Sequence, residues 1–409
     1  MPTFKNLILG LFLLLQLHCS HTGVTTLRGI SNDASKDCQT PLSGLAKKQE
    51  LKNSRAAADK KTSSREILPP AETKLLEPLA PQNFESFSQE RKLKVATYNV
   101  LNLKEMVGRF EPNPATGKRI KTKPEKAKAQ EAIDGVAAAI KEISPDILFL
   151  QEVEGLESLG AFATRELENQ WRPLIMKGND GRGIHIGVLV KNSVPLSFEY
   201  RSHRDEPFSS DKHPDLQKVF SRDFPVLIAK SPSDHTPLFI LAGVHGKSKR
   251  TDNHSDPESR EIRTAQAERM VDIIQFYQEK YPNIPILLLG DFNAEPSREP
   301  EYQALRDFNL KDAFDLIPNP LPTGSPERIT HTFHPQEGSR KASQLDSILI
   351  VPPIQNIVLD AKVYRYKNPD GSIKPLPQTY EEREQNPSDH FPIWADLDLQ
   401  KLLGRTHRN

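Results

Sequence analysis

The residues of this 409-residue chain that are best suited to chemistry stand at the ends of apolar runs. Asn99 comes near the end of LKVATYNV, Gln151 and Glu152 near the end of DILFLQEV, and His245 at the end of LFILAGVH. Asp291 and Asn293 end IPILLLGDFN, Asp346 lies in SQLDSILIV, and Ser388, Asp389 and His390 precede FPIWADLDL. Carboxylates, amides and imidazoles are the groups that orient water, move protons and hold a hard divalent cation. One Asn or Asp at a strand end is ordinarily a turn former. The ordered series Asn, Glu, His, Asp-x-Asn, Asp, Asp-His points instead to a shared site, because α/β sheets bind ligands at the carboxyl ends of their strands. Asp291 and Asn293 lie two apart, so an extended chain there would aim both side chains at one face.

The elements that must position these residues follow from the patterning. Residues 93–100, 146–153, 183–191, 224–230, 238–245, 284–293, 343–351 and 391–399 read as strands. Residues 125–143 and 258–281 read as helices, the first with Pro124 near its start and Pro145 past its end. Helices interleaved with runs that are apolar on both faces predict covered sheets, an α/β layered domain over 92–399.

The flanks differ in texture. At the start, Lys5 precedes an apolar stretch from Leu7 to Leu17 and then polar residues, the layout of a secretory signal peptide over 1–22. That stretch is shorter than the roughly 18–20 residues of a spanning helix. The expected location is secreted or attached to a bacterial cell envelope. Cys19 stands where a lipoprotein carries its lipidated cysteine, a membrane tether, although Gln16, Leu17 and His18 before it are not the small residues such processing prefers. Cys38 is the other cysteine, so the domain has neither disulfide nor thiol nucleophile. Residues 23–91 are polar and proline-containing and read as a disordered tether, with 400–409 as a tail. With 55 Lys plus Arg against 54 Asp plus Glu, the net charge of +1 excludes a protein whose whole surface is a basic nucleic-acid footprint. Basic residues cluster locally in Lys104–Lys128 and at Lys247, Lys249 and Arg250, either of which could line a groove for a phosphate backbone. Gly181 and Gly183 read as a turn. Nothing in the sequence indicates an oligomer.

YNVLN, LQEVE, VHGKS, LLGDFNAEP, QLDSILI and PSDHFPI resemble, in order and approximate spacing, the motifs of the endonuclease/exonuclease/phosphatase superfamily, the fold of deoxyribonuclease I. RGI, SRDFP and GDFNAEPS resemble a nuclease-like branch of secreted bacterial proteins. The resemblance implies a four-layer α/β sandwich, two mixed β-sheets face to face with helices outside, that cleaves phosphoester bonds with Mg²⁺ (Mn²⁺ or Ca²⁺ being possible alternatives). It implies Glu152 as a metal ligand with Asn99 and Asp389, and Asp291 as the residue that orients or deprotonates water. Asn293 would donate to the phosphoryl group, and His390, fixed by Asp346, would act as base or transition-state partner. His245 would protonate the leaving oxygen or hold the phosphate, and Arg222 would contact phosphate unless it pairs with Asp223 or another acid. One departure is visible: the strand that supplies an acid to this histidine in deoxyribonuclease I here reads GRGIHIGVLVK, with Arg182 and His185. The implied substrate is nucleic acid, DNA or also RNA. A sphingomyelinase-type phospholipid hydrolase and a phosphomonoesterase share the same core residues, and a non-enzymatic binding module would have lost some of them.

Overall fold

A computed structural model describes residues 66–90, 92–104, 110–112, 119–121, 128–333 and 341–404. In chain order the first strands are β1 (Glu72–Leu76), β2 (Lys92–Leu103), β3 (Phe110–Pro112), β4 (Arg119–Lys121), β5 (Ile147–Val153) and β6 (Trp171–Ile175). They are followed by β7 (His185–Lys191), β8 (Ser197–Ser202), β9 (Val226–Lys230), β10 (Pro237–His245), β11 (Ile286–Asp291) and β12 (Lys311–Asp312). The last are β13 (His331–Phe333), β14 (Lys341–Ser343), β15 (Asp346–Ile350), β16 (Val358–Val363) and β17 (Ile393–Asp398). The main helices are α1 (Gln130–Ile143), α2 (Leu156–Arg165) and α3 (Arg260–Lys280).

These strands form a seven-stranded sheet ordered β1-β8-β9-β10-β11-β15-β12 and a six-stranded sheet ordered β16-β17-β2-β5-β7-β6. Both are mixed: β10·β11 and β2·β5 are parallel and the remaining pairs antiparallel. The period-2 alternation of a strand separates its two faces. Leu227, Ala229, Leu241, Leu287 and Ile348 point inward and pack with Val95, Ile147, Phe149 and Val188 of the other sheet. Their sequence neighbours Val226, Ile228, Ile240 and Leu288 point outward, onto Met270, Ile273, Ile274 and Tyr277 of α3. On the opposite outer face Ala96, Tyr98, Leu148 and Leu150 pack on Val136 and Ile140 of α1 and on Leu159 and Phe162 of α2. The order helix, sheet, sheet, helix is the expected four-layer sandwich. Among the described residues no helix is long and apolar enough to cross a membrane.

The folded part begins before residue 92. Residues 66–90, which composition assigns to the tether, contain β1, paired antiparallel with β8 from Glu72↔Ser202 to Leu76↔Phe198. Phe87 is buried in the inter-sheet core, and Leu76 and Phe84 pack against it. An edge strand needs apolar residues on one face only and gains much of its order from the ladder, so a polar composition does not exclude it. Leu402, in the expected tail, is also buried. The signal-peptide segment, Cys19, Cys38 and most of the Lys104–Lys128 run lie outside the described residues.

Candidate active site

Register brings the site together. His245 is paired with Asp291 across β10·β11, and Asp291 with Asp346 across β11·β15, so three chemically able residues form one row across the seven-stranded sheet. On the facing sheet Asn99 is paired with Gln151, which puts Glu152 one residue further on. A hydrogen bond joins the two sheets here: Asn99 Nδ2 donates to Asp291 Oδ2 at 2.9 Å.

The backbone is distorted where it meets the site. Leu101, Asn102, Glu152 and Asn293 have φ of 49°, 59°, 65° and 57°, left-handed values that cost non-glycine residues about 1–3 kcal/mol each. The ladders shift register beside Asn99 and again between Leu150 and Val153, and such bulges re-aim a side chain. Glu152 is thereby turned so that its Oε2 accepts from the Asn102 amide at 3.1 Å. Asn293 departs from the extended geometry expected of it. Its left-handed turn folds it back on Asp291, whose Oδ1 accepts from the Asn293 amide N–H (2.7 Å) and whose Oδ2 accepts from Nδ2 (3.1 Å).

Asp291 is the hub. Its Oδ2 lies 3.8 Å from His245 Nε2 and 3.9 Å from His390 Nε2, besides the two amide donors. Burial pushes its carboxyl up, against the lowering effect of His390. His390 Nδ1 is 2.8 Å from Asp346 Oδ2, and Asp346 is fully buried with its backbone N–H donating to Thr330 Oγ1. Burial opposes a charge on His390, but Asp346 and Asp291 outweigh it and raise its basicity well above the ordinary imidazole value. His245 goes the other way: burial, and then Arg222 and His390, hold it neutral. Its Nδ1 is buried without a hydrogen-bond partner, in keeping with the missing acid on β7.

The oxygen donors fit a hard cation. Asp389 is held well below the usual carboxylate range; burial opposes this, and His331, His390 and Arg383 prevail. Its Oδ1 and that of Asp346 are buried with no partner. Asp291, Asp346 and His390 also place ligand-type atoms within 4.8 Å of one another. His390 can offer only Nε2 to a metal, because its Nδ1 is held by Asp346. The family resemblance implies Glu152, Asp389 and Asn99 as the donors instead.

Arg222 is buried, and it pairs with an acid other than Asp223. It pairs with Asp180 (Nε to Oδ2, 3.0 Å), which also binds Arg182 (2.9 Å), and its Nη1 donates to Gly246 O at 3.2 Å. Asp223 turns away to accept from the His203 and Phe224 amides. Gly178 allows this arrangement: a Cβ there would lie 1.9 Å from Arg222 O, so only glycine brings the 178–183 turn against Arg222.

Two site residues escape the sequence reading. The His331 ring lies tilted against His390, 4.6 Å between centroids, and its Nε2 is 3.8 Å from Asp389 Oδ2. Only its backbone bridge to His390, a tertiary feature, brings it there. Lys128 belongs to the basic run, yet its Nζ donates to Leu101 O (3.1 Å) and Pro387 O (2.6 Å), tying the turn after Asn99 to the turn before Asp389. Burial lowers its ammonium to about 8, while Asp389 and Glu152 oppose the shift.

A family model described as "Endonuclease/Exonuclease/phosphatase family" matches residues 96–349, which include most of this cluster. The chain belongs to that family. It is therefore a hydrolase of phosphoester bonds, and enzymes of the family are generally dependent on a divalent metal. It is 25% identical over 166 residues to deoxyribonuclease-1-like 1 of Chlorocebus aethiops, a match that covers 41% of this chain and 43% of that protein. The fold is similar to that of a family protein of Bacteroides thetaiotaomicron (18% identity, TM-score 0.49, 75% of this chain and 94% of the other). It is similar also to a mannosyl-6-phosphatase of the same organism (16%, 0.46, 75% and 99%) and to D. rerio TDP2 complexed with a single-strand DNA product (16%, 0.45, 75% and 99%).

Proposed function

We propose that this is an exported, divalent-metal-dependent phosphodiesterase that acts as a nuclease on DNA, and on RNA through the same groups. The observation that carries the nuclease reading is the arginine beside the hub: Arg222 donates to Gly246 O, which also accepts from Asn293 Nδ2 at 3.1 Å. A polyanion needs such positive charge outside the reacting centre. The relative with 25% identity is named a deoxyribonuclease-like protein, which supports the same direction. Export rests on the apolar segment at the start of the chain.

In this reading Glu152, Asp389 and Asn99 hold the cation. When bound, it neutralises charge on phosphoryl oxygens as a Lewis acid. Asp291, pushed up by burial, takes the proton of the attacking water, and Asn99 and Asn293 fix its two oxygens. His390, charged and held by Asp346, faces the negative charge that builds on the phosphoryl group. His245 remains neutral and donates a hydrogen bond rather than a full charge.

The test is hydrolysis by the full chain of supercoiled plasmid, RNA, sphingomyelin and p-nitrophenyl phosphate, with Mg²⁺ and with EDTA. EDTA-sensitive nicking of DNA without lipid or monoester cleavage is the expected result. Hydrolysis of lipid or monoester alone would overturn the nuclease reading while leaving the site intact.

A further inference from the structure

Beside Arg222 lies a cavity of about 630 Å³, walled by the 179–182 turn, residues 215–222, and Lys247, Ser248 and Arg250. It shares Arg222 with the catalytic cluster, so whatever occupies it is adjacent to the scissile bond. We propose that this cavity is a second phosphate subsite, centred on Lys247, that takes the phosphate neighbouring the scissile one in a nucleic-acid chain. The proposal rests on the nuclease reading above.

Charge accounting singles out Lys247 and Arg250, the two cations of this wall that have no ion pair among the described residues. Arg182 and Arg222 share Asp180, Lys218 pairs with Asp205, and Lys249 pairs with Glu299 at 3.0 Å. Among the described residues no carboxylate lies within ion-pair distance of Lys247, although its side chain is half-buried in the cavity wall. Its backbone is held at both ends. The Lys247 N–H donates to Gln266 Oε1 (3.0 Å), and its carbonyl accepts from Arg263 Nη1 (2.9 Å). Arg263 is itself buried on Glu301. With its backbone fixed and its side chain half-buried in a wall that holds Arg182, Lys218, Arg222 and Arg250 against Asp180 and Asp215, Lys247 adds to an excess of positive charge around a concave space. Burial, then Arg222 and Arg182, lower its basicity, while Asp180 opposes the shift. A phosphate supplies the missing charge and the hydrogen-bond acceptors. A larger cavity of about 870 Å³, lined by residues such as Phe208, Asp256, Arg260 and Glu261, contains none of the site residues.

The experiment compares binding of a nucleoside 3′,5′-bisphosphate and the corresponding 3′-monophosphate to the full chain by calorimetry in EDTA, where turnover stops. The wild type should bind the bisphosphate about tenfold more tightly, the worth of one charge-assisted contact. In Lys247→Gln the ratio should fall to within about twofold, whereas Lys141→Gln, a lysine paired with Glu168 on α1, should keep the wild-type ratio. Equal affinities in the wild type, or a ratio that survives Lys247→Gln, would overturn the subsite even if the enzyme nicks DNA. Failure of the wild type to nick DNA would overturn the nuclease reading and the nucleic-acid occupant together.

Discussion

Replacing Asp346 by Asn tests the centre of the arrangement. Asp346 is hydrogen-bonded to His390, and Asn has the same shape without the charge. The full chain buries Asp346 completely, with Oδ2 at 2.8 Å from His390 Nδ1. At about 4 Å between charge centres and an effective dielectric near 20, the attraction is about 4 kcal/mol. A neutral amide keeps a hydrogen bond of about 1 kcal/mol, which leaves about 3 kcal/mol. If the imidazolium stabilises the transition state, that loss lowers kcat by about a hundredfold and leaves KM within about twofold. The assay is initial-rate hydrolysis of the best phosphoester substrate in Mg²⁺, with circular dichroism and a thermal melt to confirm the fold. A folded Asp346→Asn enzyme with kcat within threefold of wild type would refute the dyad. Asp346→Ala is the contrasting variant: it strands a buried charge and should cost about 3–5 kcal/mol of stability.

Two further predictions concern the fold. Burial pushes Asp223, which accepts from two backbone amides, up to about 7. A raised carboxyl pKa means that the folded state holds the proton better than the unfolded one. The associated stability is therefore full below about pH 4, is lost as pH rises towards 7, and amounts to about 2–4 kcal/mol. Urea midpoints at pH 4.5 and 8 should differ by less in Asp223→Asn than in the wild type, and equal differences would sink the assignment. Cutting the chain at residue 92 removes β1 and Phe87 and uncovers the β8 edge. The shortened chain should lose about 2–3 kcal/mol relative to one starting at residue 66 and aggregate more readily; superimposable melts would show that the segment is dispensable.

How much of this was legible in the sequence differs from residue to residue. The strands that carry Asn99, Glu152, His245, Asp291 and Asp346 are apolar on both faces, so local patterning identified them; His245 and Asp291 end their strands, Asp346 begins its own, and Asn99 and Glu152 lie inside theirs. Strands with mixed composition were not legible. Among them were β1 and β16, whose burial alternates or is shared with charged residues because each lies at a sheet edge.

The sequence by itself determined the four-layer class and the identities of the groups at the strand ends, because burial on two faces and family motifs are local properties. Only the tertiary structure decided what those groups do to one another. Register aligned His245, Asp291 and Asp346 in one row, the left-handed turn at Asn293 folded its amide back on Asp291, and Gly178 brought Asp180 to Arg222. It also placed His331 against His390 and left Lys247 without an ion-pair partner among the described residues. Each of these depends on contacts between residues far apart in the chain, and such contacts set charge states and distances that no window of sequence contains.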